Sequence, residues 1–229
     1  MTLSSWVPPR ELKPAPGALL LVQAFVNTRN LDLGTDLLAD PGSARQWLRQ
    51  AGLLGPRATA SAGELRSARA VREGVRALVT FNAGAPPVTA APPAPGTGPA
   101  PRAGTTAEPA ADPAPGDALA ALEAFTRESR LRLTLGDDGQ FLLEPEPGGG
   151  LADRLAGLLL IIRDAQRDGT WARLKICGND ECRWAFYDRS HSRRGAWCDM
   201  SSCGNIIKNR NLRARRASHG HAAQPRPRA

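Results

Sequence analysis

The stretch Cys177-Gly178-Asn179-Asp180-Glu181-Cys182-Arg183-Trp184-Ala185-Phe186-Tyr187-Asp188-Arg189-Ser190-His191-Ser192-Arg193-Arg194-Gly195-Ala196-Trp197-Cys198-Asp199-Met200-Ser201-Ser202-Cys203 is the most informative in this chain. It holds all four cysteines of the 229 residues, spaced C-x4-C-x15-C-x4-C. Two close pairs separated by such a loop form the layout of a four-thiolate zinc site. Each spacer lets two sulfurs converge on one ion, and the loop returns the second pair to complete a tetrahedron. Four cysteines close the coordination sphere, so the zinc is expected to be structural, and thiolate ligands without a redox role favour zinc over iron. Two disulfides would need export, which nothing in the sequence suggests. Four unrelated thiols would not all cluster between positions 177 and 203. His191 lies inside the loop and could displace one cysteine, although an exposed loop histidine is the plainer reading.

The residues around the ligands carry further expectations. Gly178-Asn179 and Gly204-Asn205 follow a cysteine in each pair and tolerate the left-handed backbone of a knuckle turn. Trp171, Trp184, Phe186, Tyr187 and Trp197 are five of the eleven aromatic residues. They are expected to form the miniature core that zinc organises, with Tyr187 as an alternative base-stacking surface. Asp188 is expected to orient the loop or hold a backbone amide. Past Cys203 the chain reads Gly204-Asn205-Ile206-Ile207-Lys208-Asn209-Arg210-Asn211-Leu212-Arg213-Ala214-Arg215-Arg216. These are good helix formers, with Asn205 as a candidate cap and Ile206, Ile207 and Leu212 as packing contacts. Lys208, Arg210, Arg213, Arg215 and Arg216, with Arg193 and Arg194 of the loop, suit phosphate contacts made by a helix in a major groove. A solvated basic tail is the competing reading.

Composition points the same way. The formal net charge is +8. Residues 1–170 carry 17 basic and 18 acidic side chains, whereas 171–229 carry 13 basic and 4 acidic. The excess charge therefore sits beside the cysteines, where an anionic partner would bind. No apolar run approaches the length of a membrane span; Leu19–Val26 is broken by Gln23. With no signal-peptide layout either, the expected location is the cytoplasm, associated with the nucleoid. No nucleophile–base pair, phosphate loop or open metal site is visible, so no catalytic residue is assigned.

Working upstream, Leu151 to about Asp168 has a single apolar stripe ending at Gly169, which predicts a helix. Before it, alternation in Arg130–Leu135, the Gly136-Asp137-Asp138-Gly139 turn and Gln140–Glu144 predict a β-hairpin. Asp117 to about Ser129 reads as a helix. Residues 84–116 are dominated by ten prolines and ten alanines, giving a disordered insertion or linker. Ahead of it, Ser61 with Glu64 forms a capping box for a helix to about Asn82. Asp40-Pro41 starts another helix, and Leu19–Val26 a first one followed by a turn near Asn30–Gly34.

The segment from Cys177 to Asp188, with Ser190, Arg193-Arg194, Trp197-Cys198-Asp199-Met200 and Cys203-Gly204-Asn205, resembles the CGNR zinc-finger family over residues 171–216. The part before it is similar to that family's companion ABATE domain over about 19–169. Phe25-Val26-Asn27-Thr28 matches its FVNT signature, and Asp36-Leu37-Leu38, Trp47-Leu48 and the Glu64–Leu78 helix follow in order. The family's name-giving arginine is Ile206 here, with Arg210 as a candidate substitute, and the position before FVNT, often acidic in relatives, is Ala24. The resemblance implies zinc on Cys177, Cys182, Cys198 and Cys203 and DNA binding by the finger, in proteins regarded as stress-induced transcription regulators. It leaves Asn27 as a helix-end hydrogen bond or as part of a ligand-sensing surface.

The expected architecture is therefore α+β. A mostly helical N-terminal domain with a small β-hairpin sheet (1–169, interrupted at 84–116) precedes a C-terminal four-cysteine zinc module ending in a basic helix (170–216) and a disordered tail (217–229). The expected function is a DNA-binding transcription regulator with one structural Zn2+, whose N-terminal domain senses or dimerises. Double-stranded DNA is the expected partner. A homodimer and an unidentified small-molecule effector are further candidates, and no membrane is involved. The rivals are a thiol and zinc redox sensor, or a zinc-stabilised RNA- or protein-interaction module.

Overall fold

The computed structural model describes residues 5–83 and 113–221. Most of the 84–116 insertion, and the last eight residues of the 217–229 tail, lie outside the described residues. In chain order the elements are α1 (Leu19–Val26), β1 (Arg29–Asn30), β2 (Thr35–Asp36), α2 (Pro41–Gln50), α3 (Ala62–Thr80), α4 (Pro115–Glu128), β3 (Leu131–Leu135), β4 (Phe141–Pro145), α5 (Leu151–Arg167), β5 (Leu174–Ile176), β6 (Ala185–Tyr187) and α6 (Asn205–His221). The strands form three separate antiparallel pairs, β1–β2, β3–β4 and β5–β6. Of these only β3–β4 is legible as a hairpin from the sequence pattern.

Local chemistry sets the helix starts. Asp40 accepts the Ser43 N–H at 2.8 Å and Pro41 occupies the first helical position of α2. At α3 the capping box forms in both directions, Ser61 N to Glu64 Oε2 at 2.8 Å and Glu64 N to Ser61 Oγ at 3.2 Å. Gly169 follows α5 with φ of +78°, a turn that needs no Cβ. α4 begins at Pro115, two residues earlier than expected, inside the end of the Pro/Ala stretch.

α1 is apolar on almost every side and lies at the centre of the core, as such a helix must. Val22, Ala24, Phe25 and Val26 are fully buried. Around them pack Trp47 and Leu48 of α2, Leu65, Val71, Val75 and Val79 of α3, Leu122 of α4 and Leu151, Leu155, Leu158 and Ile162 of α5. Helices α3 and α4, which flank the insertion in sequence, meet closely at Gly74, where a Cβ would lie 2.5 Å from Leu122 Cβ. The insertion therefore interrupts one domain and does not separate two.

The expected boundary at 169/170 does not divide the core. Trp171, Leu174, Ile176, Ala185 and Tyr187 belong to the same apolar cluster as α1 and α3. The first cysteine pair hangs from a hairpin, β5–β6, that the N-terminal domain itself encloses.

Candidate functional site

Among the described residues the outer edge of β6 meets no further strand, and unpaired peptide groups there would be costly once buried. Two amides one turn apart, Gln23 of α1 and Asn27 just after it, cover it. Asn27 donates from Nδ2 to the Ala185 carbonyl at 2.9 Å and accepts the Ala185 N–H on Oδ1 at 2.8 Å. Gln23 adds a donation to the same carbonyl at 3.2 Å. The next edge position, the Tyr187 N–H, is taken by the carbonyl of Lys13 at 2.9 Å. Gln23 also holds this N-terminal segment by accepting the Ala15 N–H at 2.6 Å. Asn27 is thus buried and placed inside the joint between domain and module. The residue that breaks the apolar run of α1 is the one that ties both the 13–15 segment and β6 to it.

The four cysteine sulfurs lie within 4.8 Å of one another, all buried, and none is paired in a disulfide. A ZnS4 tetrahedron with Zn–S near 2.3 Å has edges of about 3.8 Å. The Cys182–Cys198 and Cys198–Cys203 sulfur separations are 3.7 and 3.8 Å. Without a cation the cluster cannot hold four negative charges. Hydrogen bonds from Cys182 and Cys198 pull the Cys177 thiol down, while its thiolate pushes the Cys182 and Cys198 thiols up. A divalent metal is the group that resolves this competition, and these residues hold one structural zinc ion. His191 is exposed and is not among the clustered ligands.

The loops are shaped by packing more than by the glycines' backbone freedom. Gly178 and Gly204 have ordinary φ, and the left-handed residues of the module are Arg183 (φ 46°) and Arg193 (φ 53°). The glycines sit where space is tight. A Cβ on Gly178 would lie 3.1 Å from the Trp197 ring, and one on Gly204 would lie 2.5 Å from Met200 Sδ and 3.2 Å from Trp197. Asn179 turns the first knuckle, its carbonyl accepting the Cys182 and Arg183 N–H groups at 2.9 and 3.0 Å. Its Nδ2 approaches Cys203 Sγ at 3.8 Å, linking the two pairs. Trp184 and Phe186, with Trp197 against them, pack on the sulfurs. Trp171 and Tyr187 face the main core instead, so Tyr187 offers no stacking surface.

Asp188 holds the 189–195 loop. Its carboxylate accepts from Lys175 Nζ at 2.8 Å, Gly195 N at 2.7 Å and Ser190 N at 3.0 Å. Burial alone would raise this carboxyl, but Lys175, Ser190 and Gly195 keep it well below the usual carboxylate range. Lys175 also donates to the Arg193 carbonyl, fixing the turn that presents the exposed Arg193 and Arg194. Lys175 is spaced as an ordinary strand residue, and no sequence signal marks it as this anchor.

α6 leaves the metal through a π-helical turn, Met200–Gly204. The cap is Asp199, which accepts from Ser201 N at 2.9 Å and from the Ser201 and Ser202 hydroxyls. Asn205, the expected cap, lies within the helix and donates back to the Ser201 carbonyl. Ile206 and Leu212 are exposed and only Ile207 is half-buried, so the expected packing stripe reduces to one residue. Lys208, Arg210, Arg213, Arg215 and Arg216 are all exposed on a helix with no acidic residue. Arg210 is partly engaged, pairing with Glu181 of the first knuckle at 2.8 Å. The helix continues to His221, beyond the expected start of the tail at 217.

Two family models match the chain. Residues 20–167 are similar to ABATE, described as "Putative stress-induced transcription regulator", and residues 173–216 to the CGNR zinc finger. No curated protein matches it.

Proposed function

The chain belongs to the ABATE family and ends in a CGNR zinc finger, and from that premise we propose that it is a DNA-binding transcription regulator, not an enzyme, whose zinc module presents α6 to the duplex. The observation that carries this reading is α6 itself. It projects from a metal-held turn with five exposed basic side chains and a single half-buried apolar one. A helix with this surface lacks the apolar face that would hold it against its own domain, whereas the phosphates of a major groove match its charge. Arg193 and Arg194, on the loop pinned by Asp188 and Lys175, supply further phosphate contacts. Asn209 and Arg213 are chemically suited to adenine and guanine edges. No described helix is long and apolar enough to cross a membrane, and DNA binding would place the protein at the nucleoid. Burial of all four sulfurs weighs against the redox-sensor reading, because oxidation needs access.

The test is duplex binding by the zinc-loaded chain across a salt series, with and without a strong chelator. With about six phosphate contacts, affinity should fall by roughly 10³-fold or more between about 50 and 200 mM salt. It should also be lost on chelation. Binding that survives chelation would reduce α6 to a polycationic tail. A strong preference for single strands would favour the RNA-binding reading.

A further inference from the structure

The β3–β4 hairpin gathers several exposed large apolar side chains outside the core cluster. Its register pairs Leu131 with Pro145, Leu133 with Leu143 and Leu135 with Phe141. Residues directly opposite in an antiparallel pair share a face, so one face of this sheet is wholly apolar. The base of the hairpin rests on α5, with the Pro145 ring against Gly157. Towards the tip the same face opens to solvent: Leu133 is 66% exposed, Leu135 65% and Phe141 71%. None of these residues joins the core cluster.

We propose that this face is where a second copy of the chain docks, the two hairpins packing face to face about a two-fold axis. Side chains of this size exposed to this degree present on the order of 400–500 Å² of apolar surface, the upper range for a monomer's largest patch. Two such faces together remove roughly 1,000 Å² from water, the lower bound for a specific interface. A two-fold axis needs a self-complementary patch, and an unbroken apolar face is one. Charge favours the same occupant. Residues 1–170 carry 17 basic and 18 acidic side chains, so two such regions meet without net repulsion, and the strongly basic module takes no part. An isolated two-stranded sheet is marginal in water, which gives the hairpin its own reason to be covered. The inference does not rest on DNA binding, although a dimer would also bring two α6 helices to one duplex.

Sedimentation equilibrium of the full-length zinc-loaded chain tests this. The expected species has twice the mass of the single chain and dissociates on dilution. In Leu133→Lys/Phe141→Lys dimerisation should weaken by roughly 100-fold or more, since each partner would bury unpaired charge. Both positions are exposed in the single chain, so zinc content and circular dichroism should stay at wild-type values. Arg132→Ala, on the other face, should leave the dimer intact. A chain that stays monomeric to about 100 µM, or a double variant that dimerises like wild type, overturns the proposal. So does a monomer that binds neutral phosphatidylcholine vesicles, which would give the face to lipid.

Discussion

Glu11 shows how much one side chain can hold at this joint. It is buried beside the β6 edge, where Asn27 Nδ2 donates to its Oε2 at 2.8 Å, while its Oε1 has no hydrogen-bond partner among the described residues. Burial pushes its pKa up to about 8, against the opposing hydrogen bonds of Asn27 and the Lys13 backbone. A carboxyl whose pKa is higher folded than unfolded favours folding while protonated. That contribution is complete below about 4.5 and is lost as pH rises towards about 8. Glu11→Gln keeps the shape and the acceptor without the titration. The variant should gain stability over wild type as pH rises from 5 to 8, and urea midpoints at fixed zinc would measure this. A wild-type-minus-variant difference that is flat with pH would show that Glu11 does not titrate in this window. Asn27 illustrates what sequence can and cannot convey. Its place in the FVNT signature marks it as special, but only folding brings Ala185, 158 residues away, to its amide.

Among the elements, the zinc module divides in two. β5 and β6 lie in the main core, whereas the second cysteine pair, the Asp199-capped turn and α6 lie outside it and join the first pair at the sulfur cluster. Cys198→Ser should therefore abolish zinc binding and melt the segment from Trp197 through α6. Amides of Leu174–Ile176 and Ala185–Tyr187 should nonetheless stay protected from exchange. Arg213→Ala should keep zinc and full protection, and should lower the salt slope of DNA binding by about one unit. Equal loss of zinc in both variants would contradict this division. At this level much was legible. The capping box at Ser61, the Asp40-Pro41 start, the β3–β4 turn and the cysteine spacing are local signals, and each appears where the sequence places it. β5 and β6 were not legible, because three residues are too few to show a period. The cap of α6 differs from the expected Asn205 because the π turn shifts the first capped residue upstream to Asp199.

Across the full fold, a buried polar chain couples the N-terminal domain to the metal loop. Asp36 of β2 makes a bidentate pair with Arg72 of α3, at 2.6 and 2.8 Å. Glu73 bridges Arg72 and Arg76 at 2.8 and 3.0 Å. Arg76, 3% exposed, donates to the Val26 carbonyl at the end of α1 and to the Arg183 carbonyl, just after a zinc ligand. Removing this guanidinium strands the Val26 and Arg183 carbonyls and weakens the charge balance at Glu73. Arg76→Met should cost about 3–5 kcal/mol in urea unfolding and should speed zinc release to a chelator, because Arg183 loses the contact that holds its left-handed backbone. Arg69→Met, which loses one carbonyl contact at Leu38 far along the sequence from the metal loop, should leave zinc release unchanged. A release rate unaffected by Arg76→Met would show that the polar chain stops short of the metal site.

The chemistry of this protein is written in its sequence alone: the ligand set and its metal, the basic helix beyond it, the helical order of the region before the cysteines and the insertion that interrupts it. Spacing, caps and composition carry those features over short separations. Folding in three dimensions was needed to establish that domain and module share one core, that Asn27 and Gln23 seal the edge of β6, and that Asp188, Lys175 and Arg76 pin the loops around the metal. The reason is physical. A buried peptide edge or carbonyl must find a partner wherever the fold brings one within about 3 Å, and neither composition nor periodicity records which distant side chain that is.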